Sequence, residues 1–363
     1  MSQDVVAAAS AALGRELRDL GGLGGSDRSG VHRAADGDGT VVVKSYAGGS
    51  LGSWARERVG LSVAGSVGVA PRLLATAADP PLVVMEDLGT ASDVAQHLLG
   101  SDPLAADDAL LAWARSLGTL HARTHADRAA IATAFAEAEG AVLDEPVDRF
   151  HAGVAGSTDQ ATRDWATDAE ALGIDGPPDV DALAAVLADT EHHALSPADV
   201  CPDNNLLLPD GCRLIDFEWA EVRHPAWDAA YLAVPWPTCW CSWRIPTAVA
   251  DGAVARYRER VAPTVPYVAS EAFGTDLDLA TLGWCLMTAS WSVHSALEED
   301  EVPLEGPSTR PRMLHRLWLA AHQSGPPPLT SYARDLYRVL ARRWGEPTLV
   351  LAPAFRDEDI AIP

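Results

Sequence analysis

The chain has 363 residues, a formal net charge of −24 at pH 7 and 48% hydrophobic residues. This length allows one large domain or two ordinary ones. No apolar run approaches the roughly 18 residues that a membrane span needs. The strong negative charge argues against nucleic acid or an anionic membrane as a partner, because phosphate binding relies on Lys and Arg. It favours a cationic partner instead.

The N-terminal sequence MSQDVVAAASAALGRELRDL predicts an amphipathic helix that carries Val5, Leu13, Leu17 and Leu20 on one side. It lacks the basic leading segment of a signal peptide. The five cysteines are an odd number in a long chain, which does not suggest a disulfide framework, so buried free thiols are expected. These features together predict a cytoplasmic protein.

The next elements predict a small antiparallel sheet with one or two helices. Residues 21–30, GGLGGSDRSG, are rich in glycine and predict a tight turn. Residues 31–34 and 40–46 flank ADGDG, which predicts a hairpin. A helix is expected over 51–66, and two further strands over 72–75 and 82–85. Residues 1–88 are therefore expected to form an N-terminal nucleotide-binding lobe.

The chain beyond residue 90 is predicted to be mostly helical. Apolar residues recur three or four apart in 107–124 and 276–297, and similar patterns appear in 309–322 and 329–344. The segment 195–220, LSPADVCPDNNLLLPDGCRLIDFEWA, interrupts them. There, two apolar runs (206–208 and 213–217) flank Pro-Asp-Gly, which indicates a hairpin. We therefore predict an α+β fold with two lobes, in which residues 89–363 form the catalytic and substrate-binding lobe.

A set of residues with phosphotransfer chemistry follows this order. Lys44 is the single lysine of the chain, against 26 arginines, and Glu57 is placed on the next helix to pair with it. Asp199 and Asn204 are five residues apart in DVCPDN, and Asp216 follows in IDF. Phosphoryl transfer needs a cation on the nucleotide phosphates, oxygen ligands for magnesium and a carboxylate that orients the acceptor hydroxyl. The sequence therefore predicts a kinase.

The D-x-x-x-x-N loop, the hairpin and the I-D-F motif together resemble the aminoglycoside phosphotransferase and choline kinase group, relatives of the protein kinases. The resemblance implies a protein-kinase-like fold that binds ATP, with GTP as an alternative, and magnesium. It also implies roles for individual residues. Asp199 resembles the catalytic base, and Asn204 and Asp216 resemble the magnesium ligands. Lys44 and Glu57 resemble the phosphate-binding lysine and its partner, and Asp228 resembles a residue that braces the catalytic loop. The loop over the phosphates corresponds to Gly24, Gly25, Ser26 and Asp27, and the hinge that meets adenine corresponds to Glu86-Asp87-Leu88.

Two departures from the family pattern leave alternatives open. Pro197 and Cys201 stand where the family usually has histidines, so a catalytically weak nucleotide-binding partner protein in a biosynthetic complex is one alternative. Glu218 replaces the glycine of D-F-G, and only 12 residues separate Asp216 from Asp228, which leaves no room for an activation segment. A small acceptor is therefore expected, and a Ser/Thr kinase of a ribosomal peptide is a second alternative.

The acceptor is expected to be a hydroxylated, cationic metabolite such as an aminoglycoside or an amino alcohol. Glu218 and the acidic cluster Glu298, Glu299 and Asp300 are candidate contacts for it. The same cluster is also typical of the solvent-exposed end of a helix. Trp236, Trp240 and Trp243 would either line the acceptor pocket or pack in the core.

Overall fold

The computed structural model of the chain describes residues 1–143, 153–175, 183, 190–234, 236, 238–303 and 306–356. The helices are α1 (Gln3–Leu13), α2 (Leu51–Ser66), α3 (Val94–Leu99), α4 (Pro103–Thr124), α5 (Arg128–Gly140), α6 (Gly153–Leu172), α7 (Ala226–Ala233), α8 (Thr247–Val261), α9 (Glu271–Glu298), α10 (Thr309–His322) and α11 (Pro327–Trp344). The strands are β1 (Leu17–Gly25), β2 (Ser29–Asp36), β3 (Gly39–Tyr46), β4 (Leu73–Ala78), β5 (Pro81–Glu86), β6 (Ser92–Asp93), β7 (Ala194–Ser196), β8 (Asn205–Leu208), β9 (Gly211–Leu214) and β10 (Glu221–Arg223).

The first five strands form an antiparallel sheet in the order β1-β2-β3-β5-β4. Side chains of a strand alternate between the two faces, and β5 shows this clearly. Leu82 and Val84 are buried in a small core with Ala9 of α1, whereas Val83 belongs to the large core that also contains Trp54 of α2. The predicted hairpin β2–β3 and the predicted helix α2 are confirmed.

The N-terminal prediction is wrong at the end of the first helix. Gly14 adopts a left-handed conformation (φ 70°) that ends α1, and the backbone N–H of Leu17 donates to the Ser10 hydroxyl. Leu17 and Leu20 therefore lie in β1. The glycine-rich segment is also mostly strand, with the turn confined to 26–28, because pairing with β2 satisfies its backbone groups. Gly24 has a φ of 151°, which favours glycine.

The remainder of the described chain is mostly helical, as predicted. Its core contains the fully buried side chains of Trp113, Trp165 and Trp227, contributed by α4, α6 and α7. The helices expected over 107–124, 276–297, 309–322 and 329–344 are present as α4, α9, α10 and α11. The predicted α+β fold class is therefore confirmed. Among the described residues, no helix is both long and apolar enough to cross a membrane.

The predicted hairpin after the D-x-x-x-x-N loop is present as β8 and β9, which β6 extends to three strands. Its second strand ends at Leu214, earlier than the expected Phe217. Cys201 and Cys239 form a disulfide, with Cα atoms 5.9 Å apart. This contradicts the expectation of free thiols for these two residues. The pairing joins positions 38 residues apart, and only tertiary structure brings them together.

Candidate active site

A cavity of about 510 Å³ lies between the N-terminal sheet and the β8–β9 hairpin. Most of the residues predicted to bind nucleotide or metal line it: Gly24, Gly25 and Ser26 of the glycine-rich segment, Lys44, Glu57, Glu86, Leu88, Asn204 and Asp216. Its volume suits a small-molecule ligand, since such pockets measure roughly 300–1,000 Å³. Asp27 is exposed and lies outside this lining.

Lys44 is the centre of a buried charge cluster in this cavity. Its Nζ donates to Glu57 Oε2 at 2.9 Å and to Asp216 Oδ1 at 2.6 Å, and it lies 3.2 Å from Glu218 Oε2. Burial alone would lower the pKa of Lys44, but the charges of these three carboxylates outweigh it and raise the pKa. Lys44 is therefore a stable ammonium that is surrounded by an excess of negative charge.

The structure places Glu218 differently from the prediction that it contacts the acceptor. Its carboxylate is buried, lines the 510 Å³ cavity and pairs with Arg28 Nη2 at 2.8 Å as well as with Lys44. The Arg28 guanidinium also lies over the Trp219 ring, 4.8 Å from its centroid. Arg28 thus connects the glycine-rich segment to the chain that follows Asp216. Nothing in the sequence marks Arg28 as functional, because its partners are about 190 positions away along the chain.

The Asp199 loop (residues 197–204) follows β7 and presents the predicted base. Ala198 has a φ of 64°, a conformation that non-glycine residues adopt rarely. The Cys201 N–H donates to Asp199 Oδ1 at 3.4 Å, and Asn204 Nδ2 donates to the Asp199 carbonyl at 3.3 Å. Burial and the charges of nearby acids, Asp216 first, raise the pKa of Asp199 to about 6. A carboxylate with this pKa can accept a proton near neutral pH.

A buried network supports this loop from behind. Asp228, which is fully buried, accepts from Ser196 Oγ at 2.9 Å and from Arg223 Nε at 2.9 Å. Ser196 Oγ accepts in turn from the Ala198 N–H, and Arg223 Nη2 donates to the Ala198 carbonyl. Burial would raise the pKa of Asp228, but Arg223 and His121 outweigh it and lower the pKa to about 2. This network holds the backbone of Ala198, the residue before Asp199.

Of these supporting residues, Asp228 alone could be expected from the sequence. Ser196 and Arg223 went unnoticed, since a serine and an arginine on short strands carry no motif of their own. Pro197 lies between Ser196 and Ala198, the two residues that the network holds.

Among the described residues, no hydrogen bond or ion pair links the candidate acceptor contacts near the end of α9 to the Asp199 loop. Glu298 and Glu299 are exposed, and Asp300 accepts a hydrogen bond from the Arg310 N–H at the start of α10. Of the three tryptophans, Trp236 is fully buried in the core. Trp240 donates its ring N–H to Asp203 Oδ2 at 2.8 Å and so lies against the Asp199 loop.

The donor set at the cavity fits a magnesium ion. Mg²⁺ prefers oxygen ligands and commonly uses one or two carboxylates together with substrate phosphates. Asp216 and Asn204 both line the cavity. Asp203 also has a buried carboxylate oxygen, Oδ1, with no hydrogen-bond partner among the described residues. The local excess of carboxylates would be relieved by a divalent cation.

No protein-family model matches the sequence, and no curated protein matches it. Solved structures are similar over most of their length. One is a putative aminoglycoside phosphotransferase from Ralstonia eutropha (13% identity, 90% of this chain, 93% of that chain, TM-score 0.49). Another is a putative fructosamine-3-kinase from Thermobifida fusca (18%, 94%, 100%, TM-score 0.46). A third is a choline/ethanolamine kinase family protein from Mesorhizobium loti (14%, 89%, 92%, TM-score 0.44). These values are low, so the function proposed below depends on the geometry of the site.

Proposed function

We propose that the chain is a magnesium- and ATP-dependent phosphotransferase that acts on a hydroxyl group of a small molecule. The observation that carries the proposal is the convergence of Lys44, Asn204 and Asp216 on one cavity of nucleotide size, beside the loop that presents Asp199. A cation, oxygen ligands and a carboxylate base are the groups that phosphoryl transfer requires.

The residues that line the cavity would each bind a different part of the nucleotide–magnesium complex. Lys44, kept in place by Glu57, would exchange its contact with Asp216 for oxygens of the nucleotide phosphates. Asn204 and Asp216 would hold magnesium, which, when bound, neutralises charge on the phosphates. The glycine-rich segment would cover the phosphates, because its backbone can approach them without Cβ atoms.

Asp199 would orient the acceptor hydroxyl and accept its proton. The acceptor oxygen forms a bond to the γ-phosphorus, the bond from that phosphorus to the β–γ bridging oxygen breaks, and ADP leaves. The 510 Å³ cavity can hold ATP or GTP, and residues 86–88 lie along its edge, where a nucleotide base would meet backbone groups.

The cationic acceptor expected from the sequence stays a prediction that depends on the net charge of −24. The absence of an activation segment between Asp216 and Asp228 supports a small acceptor over a protein. The partner-protein alternative predicts that the chain binds ATP without turning it over. Turnover of ATP therefore distinguishes it from the proposed phosphotransferase.

The experiment is a matched pair of substitutions that each remove one negative charge, studied by isothermal titration with ATP and magnesium. Asp216→Asn removes one of few carboxylate ligands and should abolish or sharply weaken magnesium-dependent ATP binding. Asp210→Asn is the control, because Asp210 is 69% exposed in the turn of the same hairpin. Equal affinities for the two variants would refute the proposed site.

The catalytic role of Asp199 has its own test. Asp199→Ala should leave ATP binding nearly intact and lower turnover by about two to four powers of ten, which is the usual contribution of a positioned base. Wild-type ADP release that does not depend on Asp199 would rule out its role as the base. Binding without turnover in the wild type would favour the partner-protein alternative.

A further inference from the structure

A second cavity, of about 140 Å³, lies between α9 and α10 and is lined mainly by polar side chains. We call it the arginine cavity and define it by Thr238, Thr288, Ser292, Thr309, Arg312 and Arg316. Trp291 also lines it and is 41% exposed, so the cavity extends to the surface. Its volume suits one small polar group rather than a whole ligand, for which pockets of about 300 Å³ or more are usual.

The two arginines differ in their electrostatic surroundings: the charges of Asp300 and Glu301 partly offset the lowering of the Arg312 pKa by burial, whereas no described carboxylate does so for Arg316. Arg316, only 6% exposed, donates from Nη2 to Ser242 Oγ at 2.7 Å and to the Trp236 carbonyl at 3.4 Å. Arg312 donates to Thr309 Oγ1 at 3.0 Å and to the Cys239 carbonyl at 3.4 Å. In the part of the chain that the structure describes, neither forms an ion pair, and the Nε atom of each is buried without a partner.

A buried cation without acidic compensation, as at Arg316, is costly, and the second cation of Arg312 beside it adds to the cost. Burying a charge is unfavourable unless it is paired and hydrogen-bonded. Burial, together with the neighbouring charge of Arg312, lowers the pKa of Arg316 to about 10. An anion in the cavity would supply the missing charge. Guanidinium groups present planar forks that match carboxylate, sulfate and phosphate oxygens.

The arginine cavity is connected to the Asp199 loop. Thr238 Oγ1, which lines the cavity, lies 3.4 Å from Cys201 Sγ, and Cys201 is bonded to Cys239, the residue after Thr238. Cys201 also donates its N–H to Asp199. From the 5.9 Å separation of the two cysteine Cα atoms and the ordinary spacing of consecutive residues, the Asp199 and Thr238 Cα atoms are at most about 17 Å apart.

We infer that the arginine cavity binds an oxyanion group, such as a carboxylate, sulfate or phosphate, carried by the acceptor whose hydroxyl Asp199 orients. This inference rests on the proposed function. It adds an anionic group to the acceptor, which the sequence alone predicts to be cationic. A free oxyanion that binds as an effector would use the same chemistry, and the two sources are separated by experiment.

The first experiment measures oxyanion binding without nucleotide or magnesium. Inorganic sulfate should raise the melting temperature of the wild type relative to chloride at equal ionic strength. Arg316→Met and Arg312→Gln should each weaken sulfate binding by about tenfold or more, since each removes charge-assisted hydrogen bonds. The matched control is Arg338→Met, because Arg338 is 62% exposed and also loses one positive charge. Arg312→Gln keeps the test available if Arg316→Met does not fold.

A further variant excludes sulfate binding at the nucleotide cavity. Lys44→Met removes the cation expected to bind the nucleotide phosphates and should leave the sulfate effect in place. The inference is overturned if sulfate and chloride act alike on the wild type. It is also overturned if sulfate stabilises Arg312→Gln as much as it stabilises the wild type, or if Lys44→Met alone abolishes the effect.

The second experiment identifies the source of the oxyanion by ADP release from magnesium-ATP. Hydroxy acids and phosphorylated alcohols are compared with amino alcohols that carry no anionic group. We expect the anionic acceptors to accelerate ADP release and Arg312→Gln to raise their KM at least about tenfold, with a smaller change in kcat.

The outcomes separate the inference from the function on which it rests. If sulfate binds but no anionic acceptor accelerates ADP release, the arginine cavity is an oxyanion site whose ligand is a free ion and not the acceptor. Acceleration by amino alcohols alone, with a KM that Arg312→Gln does not change, overturns the acceptor assignment. Failure of magnesium-ATP to bind refutes the proposed kinase, and the sulfate experiment is unaffected by that result.

Discussion

Arg223 and Arg316 are two buried arginines with nearly the same exposure, 7% and 6%, and with opposite electrostatic surroundings. Arg223 donates from Nε and Nη2 to the buried carboxylate of Asp228. Among the described residues, Arg316 donates to a carbonyl and a hydroxyl and to no carboxylate. Burial lowers both pKa values, but Asp228 and Glu221 reverse the effect for Arg223 and raise its pKa, whereas that of Arg316 falls to about 10.

The difference shows that the partner of a buried charge, more than its burial, decides what it does. A compensated charge holds a structure together, as Arg223 and Asp228 hold the Asp199 loop. An uncompensated one raises the energy of the free protein and can bind a ligand of opposite sign. Lys44 lies at the opposite extreme from Arg316, because three carboxylates surround its single ammonium.

The largest expected effect comes from Arg223→Met. This substitution leaves Asp228 buried and without its main counter-charge, a change that usually costs about 3–5 kcal/mol. The free energy of unfolding from urea titration at neutral pH measures it. Arg316→Met is the control, since it is the same substitution at equal burial. Equal losses for the two variants would contradict the comparison.

The second prediction concerns the over-compensated site. Lys44→Arg keeps the positive charge but replaces a compact ammonium by a wide planar fork, which should displace Glu57 and the phosphates from their common centre. We expect turnover to fall on the order of a hundredfold, as when one preorganised donor is lost. Turnover at the wild-type level would show that the lysine is not on the phosphates.

Lys44 allows a direct measurement of the same contact, since it is the single lysine of the chain. An ATP-directed acylating probe should label Lys44, and ATP with magnesium should protect it, because the ammonium is then paired and covered. The α-amino group of Met1 is the other primary amine and acts as an internal reference. Mass spectrometry of the digested protein resolves the two sites.

The third prediction concerns the stability cost of the arginine cavity. Arg316→Met removes a buried cation that lacks a counter-charge, so the free energy of unfolding should stay unchanged or rise by up to about 2 kcal/mol. The same variant should lose sulfate binding. Stability and binding thus move in opposite directions, which an arginine with a purely structural role would not show. A loss similar to that of Arg223→Met would contradict this.

The elements of the active site could be predicted from the sequence where the information is local. The helix α2 and the hairpins β2–β3 and β8–β9 follow from periodicity and turn residues, and Lys44, Glu57 and Asp216 meet as their order suggests. The glycine-rich strand was missed, because its hydrogen-bond partners in β2 compensate for residues that disfavour a strand.

The remaining features depend on contacts between distant positions. The Cys201–Cys239 disulfide, the pairing of Arg28 with Glu218 and the missing counter-charge of Arg316 each involve segments far apart in the chain. An arginine on an amphipathic helix reads as a surface residue. Only the packing of α10 shows that Arg312 and Arg316 line a cavity, and that Arg316 has no acid beside it among the described residues.

The smallest expected effect is a shift in the pKa of Asp199. Like Arg316, Asp199 is a buried charged group whose neighbours do not compensate its charge. In the nucleotide-free enzyme its pKa is raised to about 6 by burial and then by the charge of Asp216. Because the raised pKa favours the protonated form, Asp199 should lose its capacity as a base as the pH falls through about 6.

Of the three neighbouring acids that raise the pKa of Asp199, Asp216 contributes most, so Asp216→Asn should lower that pKa toward the ordinary range of an aspartate. Asp210→Asn removes an exposed charge from the same hairpin and should leave it unchanged. Carbon NMR of labelled aspartates between pH 4 and pH 8, roughly two units either side of the expected midpoint, measures both variants. A titration of Asp199 near its usual pKa in the wild type would show that its charge is compensated in solution, and the parallel with Arg316 would then fail.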